Sequence, residues 1–155
     1  MKNLIANVRD AARLKGASYA DIRVVRREFE EIEVKNGNVE ALTRDEDFGF
    51  GIRLLFGGAW GFACSSKVTK GEMERTLGKA LKVAKASASV QGKLVSFSSV
   101  SPITDRYTTP YAVDPFDVSI EKKLDLLMRS EETLRKGRKV KISEAFMGSY
   151  KTEKT

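Results

Sequence analysis

Five carboxylates fall between positions 28 and 40, namely Glu28, Glu30, Glu31, Glu33 and Glu40. Such a group could hold a divalent cation through oxygen or pass a proton as acid and base. The five alternate with Arg23, Arg26, Arg27 and Lys35 in a strand-like pattern, so the spacing favours a solvated sheet face of mixed charge. The run Phe48-Gly-Phe-Gly-Ile52 has the glycine spacing of a phosphate loop. That motif must lead from a strand into a helix N-terminus, and these glycines lie inside a strand pattern, where close backbone approach or twist is their use. Cys64 has no base near it in the sequence to lower its pKa, which leaves a small core or interface residue. With no histidine in 155 residues, Ser-His-Asp, Cys-His and imidazole-ligated metal chemistry are closed to this chain acting alone. One cysteine also excludes an internal disulfide and the usual zinc ligand sets. Catalytic and metal-ligating residues are therefore expected to be none.

What remains is a surface. From Asp47 to Ser65 two aromatic, glycine-spaced segments flank Gly57-Gly58, which predicts a hairpin with a two-residue turn. Its register sets Phe56 opposite Ala59, Leu55 opposite Trp60, Leu54 opposite Gly61, Arg53 opposite Phe62 and Ile52 opposite Ala63. Phe48, Phe50, Ile52, Leu54 and Phe56 make one face apolar, while Leu55, Trp60 and Phe62 join Arg53 on the other. A hairpin apolar on both sides needs two covers, because exposed apolar surface is unfavourable by ~25 cal/mol per Å². Arg53, Leu55, Trp60 and Phe62 are thus the candidate residues for facing a partner or substrate.

Lys and Arg outnumber Asp and Glu by 28 to 21, a net charge of +7, which permits contact with nucleic acid or an acidic surface. Much of the excess lies between Ser65 and Val95, where Arg75, Lys79 and Lys82 form a helical stripe. Such a stripe could touch phosphates, but no aromatic interleaving or recognition motif accompanies it, and an ordinary solvated helix face explains it as well. Met1 to Gly16 carries Arg9, Asp10, Arg13 and Lys15, so it contains no uncharged run suited to a signal or a membrane span, and a cytoplasmic protein is expected. Four Asn and one Gln among abundant Lys, Arg and Glu fit a thermophilic composition.

The length suits one domain with one sizeable core. Asn3 is placed to cap a first helix that buries Leu4, Ile5, Val8, Ala11 and Ala12 and ends at Gly16. Tyr19 to Lys35 reads as one long strand or two collinear ones, and Asn36-Gly37 predicts a type I′ turn that pairs Val34 with Val39 and Ile32 with Ala41. Thr69-Lys-Gly-Glu72 has capping-box spacing and opens a helix to about Ala88, with Met73, Leu77, Ala80, Leu81, Ala84 and Ala88 on one side. Ser89 to Val118 is rich in Ser, Thr and Pro, with a strand expected at Leu94 to Val100 within an otherwise irregular arm. Asp117 or Ser119 begins a third helix with Ile120, Leu124, Leu127, Met128 and Leu134 on one face. Val140, Ile142, Phe146 and Tyr150 then alternate in a last strand. The fold class is α+β: a two-layer, twisted, mainly antiparallel sheet with helices on one face.

Four segments in order carry a resemblance: Ala20-Asp-Ile-Arg-Val24, Glu33-Val-Lys-Asn-Gly-Asn-Val-Glu40, Asp47-Phe-Gly-Phe-Gly-Ile-Arg53 and Gly58-Ala-Trp-Gly-Phe-Ala63. Together they resemble the N-terminal domain of the TldD/PmbA proteins, once labelled modulators of DNA gyrase. The similarity runs on through Asp114-Pro115 and Glu121-Lys-Lys-Leu124 to the final strand. It implies a cytoplasmic zinc metallopeptidase that works as a homo- or heterodimer on unfolded or extended peptides. In that family the His-Glu-x-x-x-His helix and a cysteine near the metal belong to the region after this domain. This chain has neither, Cys64 does not match the family cysteine, and no catalytic residue is carried over.

Two functions follow as expectations. One is a noncatalytic scaffold and substrate-channel domain, with zinc in a catalytic second domain absent from this chain and with that domain or a TldD/PmbA-type chain as partner. The other is a stand-alone module binding a protein partner or, through its basic helix, nucleic acid. No membrane partner is expected.

Overall fold

Alternation along Tyr19–Lys35 decides the architecture. In a strand successive side chains point to opposite faces, and Ile22, Val24, Glu30, Ile32 and Val34 are all buried while their neighbours are more exposed. In the computed structural model of the protein, which describes residues 2–90, 92–96, 103–137 and 139–155, this segment is the single strand β1, Tyr19–Lys35. The other elements are α1 (Lys2–Leu14), β2 (Asn38–Phe56), β3 (Ala59–Ser65), α2 (Lys70–Ala88), α3 (Ile120–Arg135) and β4 (Glu144–Lys154), with a short 3-10 turn at Pro115–Asp117. The sheet order is β3-β2-β1-β4, and the fold is α+β with helices packed against a mainly antiparallel sheet.

Both tight turns use positive φ. Asn36 and Gly37 sit at 49° and 80°, and Gly57 and Gly58 at 56° and 75°, the conformation a type I′ turn demands and side chains other than Asn resist. No turn signal interrupts Asn38–Phe56, so the return strand and the first arm of the Gly57-Gly58 hairpin are one strand of 19 residues. The β2–β3 register is the predicted one, from Ile52 opposite Ala63 to Phe56 opposite Ala59.

The chain divides into two compact units. Unit 1 comprises 1–26, 47–102 and 153–155. Its core joins Val8 and Ala12 of α1, Ile22 and Val24 of β1, Phe50, Ile52 and Leu54 of β2, and Met73, Leu77, Ala80, Leu81 and Ala84 of α2. Thr69 caps α2 by accepting from the Glu72 amide at 3.4 Å. The α2 backbone lies directly on β3: a Cβ at Gly61 would sit 2.0 Å from the Ala80 carbonyl oxygen and 2.8 Å from Ala84. Only glycine fits there. Val24 and Thr155 exchange both backbone hydrogen bonds at 2.9 Å, the signature of an antiparallel pair. At the start of the chain, Asn3 lies inside α1 rather than before it, and Gly16 follows the helix with φ 88°.

Unit 2 comprises 27–46 and 103–152. Its apolar core is small, Ile32, Val34 and Leu127 with Leu124, Met128, Ala145 and Met147 packed around them. Polar groups fill what remains: Glu30, Lys123, Glu131 and Ser143 are all buried. The Glu30 carboxylate accepts from Lys123 Nζ, and Arg44 stands 3.7 Å from its other oxygen. Ser143 Oγ donates to Glu131, which Arg135 approaches at 3.5 Å. Here expectation and structure part in three places. Glu30 is not on a solvated mixed-charge face, because Lys123 of α3 reaches down to neutralise it. Leu134 stands 54% exposed, and Lys123 and Glu131 take the inner face of α3 instead. In β4 the inward residues are Ala145 and Met147, while Phe146 and Tyr150 point outward and Ile142 precedes the strand. The strand expected at Leu94 to Val100 falls partly outside the described residues; at 94–96 the chain is irregular, held by Val95 N–H on the Gly58 carbonyl at 2.9 Å.

Candidate functional site

The face of the β2–β3 hairpin turned from α2 is where the chain's large side chains stand over polar ones. Leu55 opposes Trp60, Arg53 opposes Phe62 and Gly51 opposes Cys64, so period two places all six on one face. Tyr19 and Asp21, at the start of β1, complete it. The Arg53 guanidinium donates to Asp21 Oδ2 at 2.9 Å, and Arg23 lies 3.0 Å from the same oxygen. Arg53 Cζ stands 5.0 Å from the Trp60 ring centroid, within range of a cation–π attraction. Trp60 in turn meets Tyr19 edge-on at 5.8 Å and 87°, the arrangement ring quadrupoles favour. Phe62 lies across Gly51, with ring atoms 3.0 and 3.3 Å from where a Cβ would be.

The four residues singled out from the sequence are therefore brought together, but not equally presented. Phe62 is 58% exposed and Leu55 only 3%. Leu55 is sealed into the unit, and its carbonyl accepts from the Ser18 amide at 2.9 Å and the Ser18 hydroxyl at 3.3 Å. Trp60 is half-buried, and Arg53 keeps 44% of its side chain in solvent. Asp21 is the member that sequence reasoning missed. Its signal was present in the Ala20-Asp-Ile-Arg-Val24 segment, but nothing in the spacing said which arginine it would hold.

β3 is the last strand of the sheet among the described residues, and a terminal strand is where an extended segment can be added to a sheet. The site can grip through a fixed cation and amphipathic rings beside a terminal strand. Its carboxylate, Asp21, is paired with Arg53 and Arg23, and its thiol, Cys64, is exposed. Among the described residues no three His, Cys, Asp or Glu side chains are grouped to hold a metal ion. A single exposed thiol without imidazole does not fit zinc.

Elsewhere the candidate chemistry resolves into structural roles. Arg75 donates to Glu72 at 2.9 and 2.6 Å, so the basic stripe of α2 is partly neutralised by its own first turn. Glu72 is held below the usual carboxylate range by the Ser65 hydroxyl and then by Arg75. Asp114 is likewise lowered, first by the Lys151 ammonium at 2.8 Å and then by the Phe116 amide. Glu31 accepts from the Tyr150 hydroxyl, which raises the phenol's pKa. Among the described residues no helix is long and apolar enough to cross a membrane.

Comparison with known proteins gives this arrangement its relatives. Residues 20–88 match the PmbA/TldA metallopeptidase domain 1 family, the stretch that holds β1 to α2 and the whole hairpin face. A metalloprotease of Methanocaldococcus jannaschii is 32% identical over 115 residues, 74% of this chain and 26% of the relative. A metalloprotease of Methanothermobacter thermautotrophicus is 33% identical over 110 residues, 70% of this chain and 23% of the relative. This chain thus spans about a quarter of the length of those relatives. Among solved structures, TldE from Thermococcus kodakarensis superposes with a TM-score of 0.72 at 14% identity, covering 97% of this chain and 34% of that one. A Thermotoga maritima protein named as a candidate modulator of a DNA gyrase gives 0.67 at 15%, covering 99% and 35%. Those two likenesses show the fold, and the family match and the metalloproteases show descent: the chain belongs to the TldD/PmbA family and corresponds to its N-terminal domain.

Proposed function

We propose that this domain is a noncatalytic wall of a TldD/PmbA-type peptidase, presenting the β2–β3 hairpin face to an unfolded or extended peptide while zinc and its ligands lie in a separate catalytic domain. The observation that carries the reading is the placing of Arg53, Trp60 and Phe62 on one face of the hairpin whose second strand, β3, is the last of the sheet among the described residues. An edge offers main-chain hydrogen bonds that ignore sequence, and the rings offer apolar contact without a closed pocket, which suits substrates of varied sequence. The donor set of this chain supports placing the metal elsewhere, since it contains no histidine. The same reading takes a second domain or a TldD/PmbA-type chain as the partner that closes the channel, in the cytoplasm.

Trp60 is the chain's single tryptophan, so its emission tests the proposal directly. Titrating an unstructured fluorescein-labelled peptide of about ten residues, enough to match one strand, should shift Trp60 emission and raise the peptide's anisotropy with one saturation curve. Phe62→Ala should weaken both responses together, while far-UV circular dichroism stays that of the parent. Peptide binding that leaves Trp60 emission unchanged and is indifferent to Phe62→Ala, or no binding at all, would overturn this assignment.

A further inference from the structure

Charge is uneven on the face that carries Trp60 and Phe62. Two guanidiniums converge on Asp21: Arg53 donates to Oδ2 at 2.9 Å, while Arg23 donates from Nε to Oδ1 at 3.3 Å and stands 3.0 Å from Oδ2. One negative charge cannot neutralise both. The Asp21 side chain is only 16% exposed, whereas Arg53 and Arg23 keep 44% and 63% of theirs in solvent, so a ligand meets the cations rather than the anion. Lys154 adds to the excess, because the Val24–Thr155 pair sets it opposite Val25, on the same face as Asp21 and Arg23 by period two. On β2 the next carboxylate in phase with Arg53 is Asp47, roughly 20 Å away along the strand and beyond the ~8 Å over which exposed charges act in physiological salt. Arg53 Cζ also stands 5.0 Å from the Trp60 ring centroid. A planar donor fork is thereby held against apolar surface, where it attracts a carboxylate more strongly than in open water.

We infer that this face favours, among extended peptides, those that carry an acidic side chain beside an apolar one, with Arg53 receiving the carboxylate and Trp60 and Phe62 the apolar neighbour. In an extended chain, residues two apart share a face, so the acidic and apolar side chains stand at positions i and i+2. This selectivity rests on the peptide-binding reading of the same face and specifies its substrates. The carboxylate is that of a side chain and not of a chain end, because the face continues past Arg53 in both directions, to Leu55 and Trp60 one way and to Gly51 and Cys64 the other, and a bound peptide can run on across it.

Trp60 emission reads this with unlabelled probes: peptides of about ten residues, made of Ser, Thr and Leu, acetylated and amidated, with Leu two residues to either side of one variable position that is Glu, Gln or Lys. The Glu peptide should bind about fivefold more tightly than the Gln peptide, the upper end for an exposed ion pair, and the Lys peptide more weakly than either. The gap should close at about 1 M salt, where charges are screened within ~3 Å. Asp21→Asn leaves both guanidiniums uncompensated and should widen the Glu-to-Gln ratio, whereas Arg53→Gln should bring the ratio close to one, both variants keeping the parent's circular dichroism. Equal binding of the three peptides, with Trp60 emission shifted and affinity lowered by Phe62→Ala, would refute the selectivity and leave the peptide-binding reading standing. A Glu preference that survives Arg53→Gln would refute it too, as would a Gln peptide that matches the Glu peptide once its C-terminal carboxyl is left free. Binding by none of the three would overturn both readings.

Discussion

Gly61 is where unit 1 has least room to yield. One methyl added there places a carbon 2.0 Å from the Ala80 carbonyl oxygen and 2.8 Å from the Ala84 nitrogen and Cβ, whereas ordinary contact begins at 3.4 Å. Strand and helix would have to part by roughly 1 Å or more, and overpacking of this kind costs ~1–3 kcal/mol, occasionally more. Two features press toward the upper end. The nearest obstacle is backbone, which no side-chain rotation can move, and any parting loosens Ile52, Leu54, Met73 and Leu77, each at most 1% exposed. Gly61→Ala should therefore lower the unfolding free energy by ~3 kcal/mol, a fall in Tm of roughly 6–12 °C for a chain of this size. Gly78 is the control within α2. Nothing lies within 4 Å of a Cβ there, so Gly78→Ala should stabilise by ~0.5–1 kcal/mol through helix propensity and a less flexible unfolded chain. Urea unfolding of both variants, followed by far-UV circular dichroism, reads the two effects. A Gly61→Ala variant within ~0.5 kcal/mol of the parent, the range of an ordinary surface substitution, would show that β3 and α2 can separate freely and that the close seam does not hold unit 1 together.

Two further outcomes concern unit 2. Lys123→Met leaves the buried Glu30 carboxylate facing only Arg44, and the cost should approach ~3 kcal/mol, the lower end for a broken buried pair because Arg44 can still approach; adding Glu30→Met should recover most of the loss, and a single variant costing under ~1 kcal/mol would refute the pair's role. For the Lys151–Asp114 pair the folded carboxyl titrates below its ordinary value of about 3.9 and the folded ammonium above its ordinary value of about 10.4. The pair's stabilisation is thus complete between those two values, is lost as pH falls through the lowered Asp114 pKa, and is lost again as pH rises through the raised Lys151 pKa. Asp114→Asn should flatten both limbs of a plot of unfolding midpoint against pH, and unchanged slopes would contradict the assignment.

How much of this was legible beforehand depended on which force decides each element. The Gly57-Gly58 hairpin, its register and the buried stripe of α2 could be read from the chain because glycine φ and apolar periodicity are local properties, and in unit 1 the packing agrees with them. The end of β4 resisted for the opposite reason. Phe146 and Tyr150 are larger than Ala145 and Met147, yet the smaller pair faces Ile32 and Val34, and Phe29 stacks on Tyr150 at 6.5 Å on the outward side. Glu30 resisted too. Its partner Lys123 is 93 residues away, and no local pattern distinguishes a glutamate waiting for a distant lysine from one left in water. At the candidate site the same division holds: the cross-strand neighbours of Arg53 and Trp60 followed from register, but the burial of Leu55 depended on tertiary packing.

Unit 1 and unit 2 thus solve the same problem with different chemistry. Unit 1 closes its sheet with small residues, Ala59, Gly61 and Ala63 on β3 against Ala80 and Ala84 on α2, so that dispersion over a close seam supplies cohesion. Among its described residues unit 2 has one α-helix and a short apolar list, and it fills its interior with Glu30–Lys123 and Glu131–Ser143 instead. A buried pair contributes little net stability, because desolvation offsets attraction, but a misplaced one is heavily penalised. Apolar packing tolerates sliding by a turn or a register step, whereas the ammonium of Lys123 has to meet the carboxylate of Glu30. The consequence is that α3 is positioned by charge and α2 by shape. Changes that conserve hydrophobic volume should be absorbed along unit 2's few apolar contacts and rejected at its two polar ones, the reverse of what the seam at Gly61 imposes on unit 1.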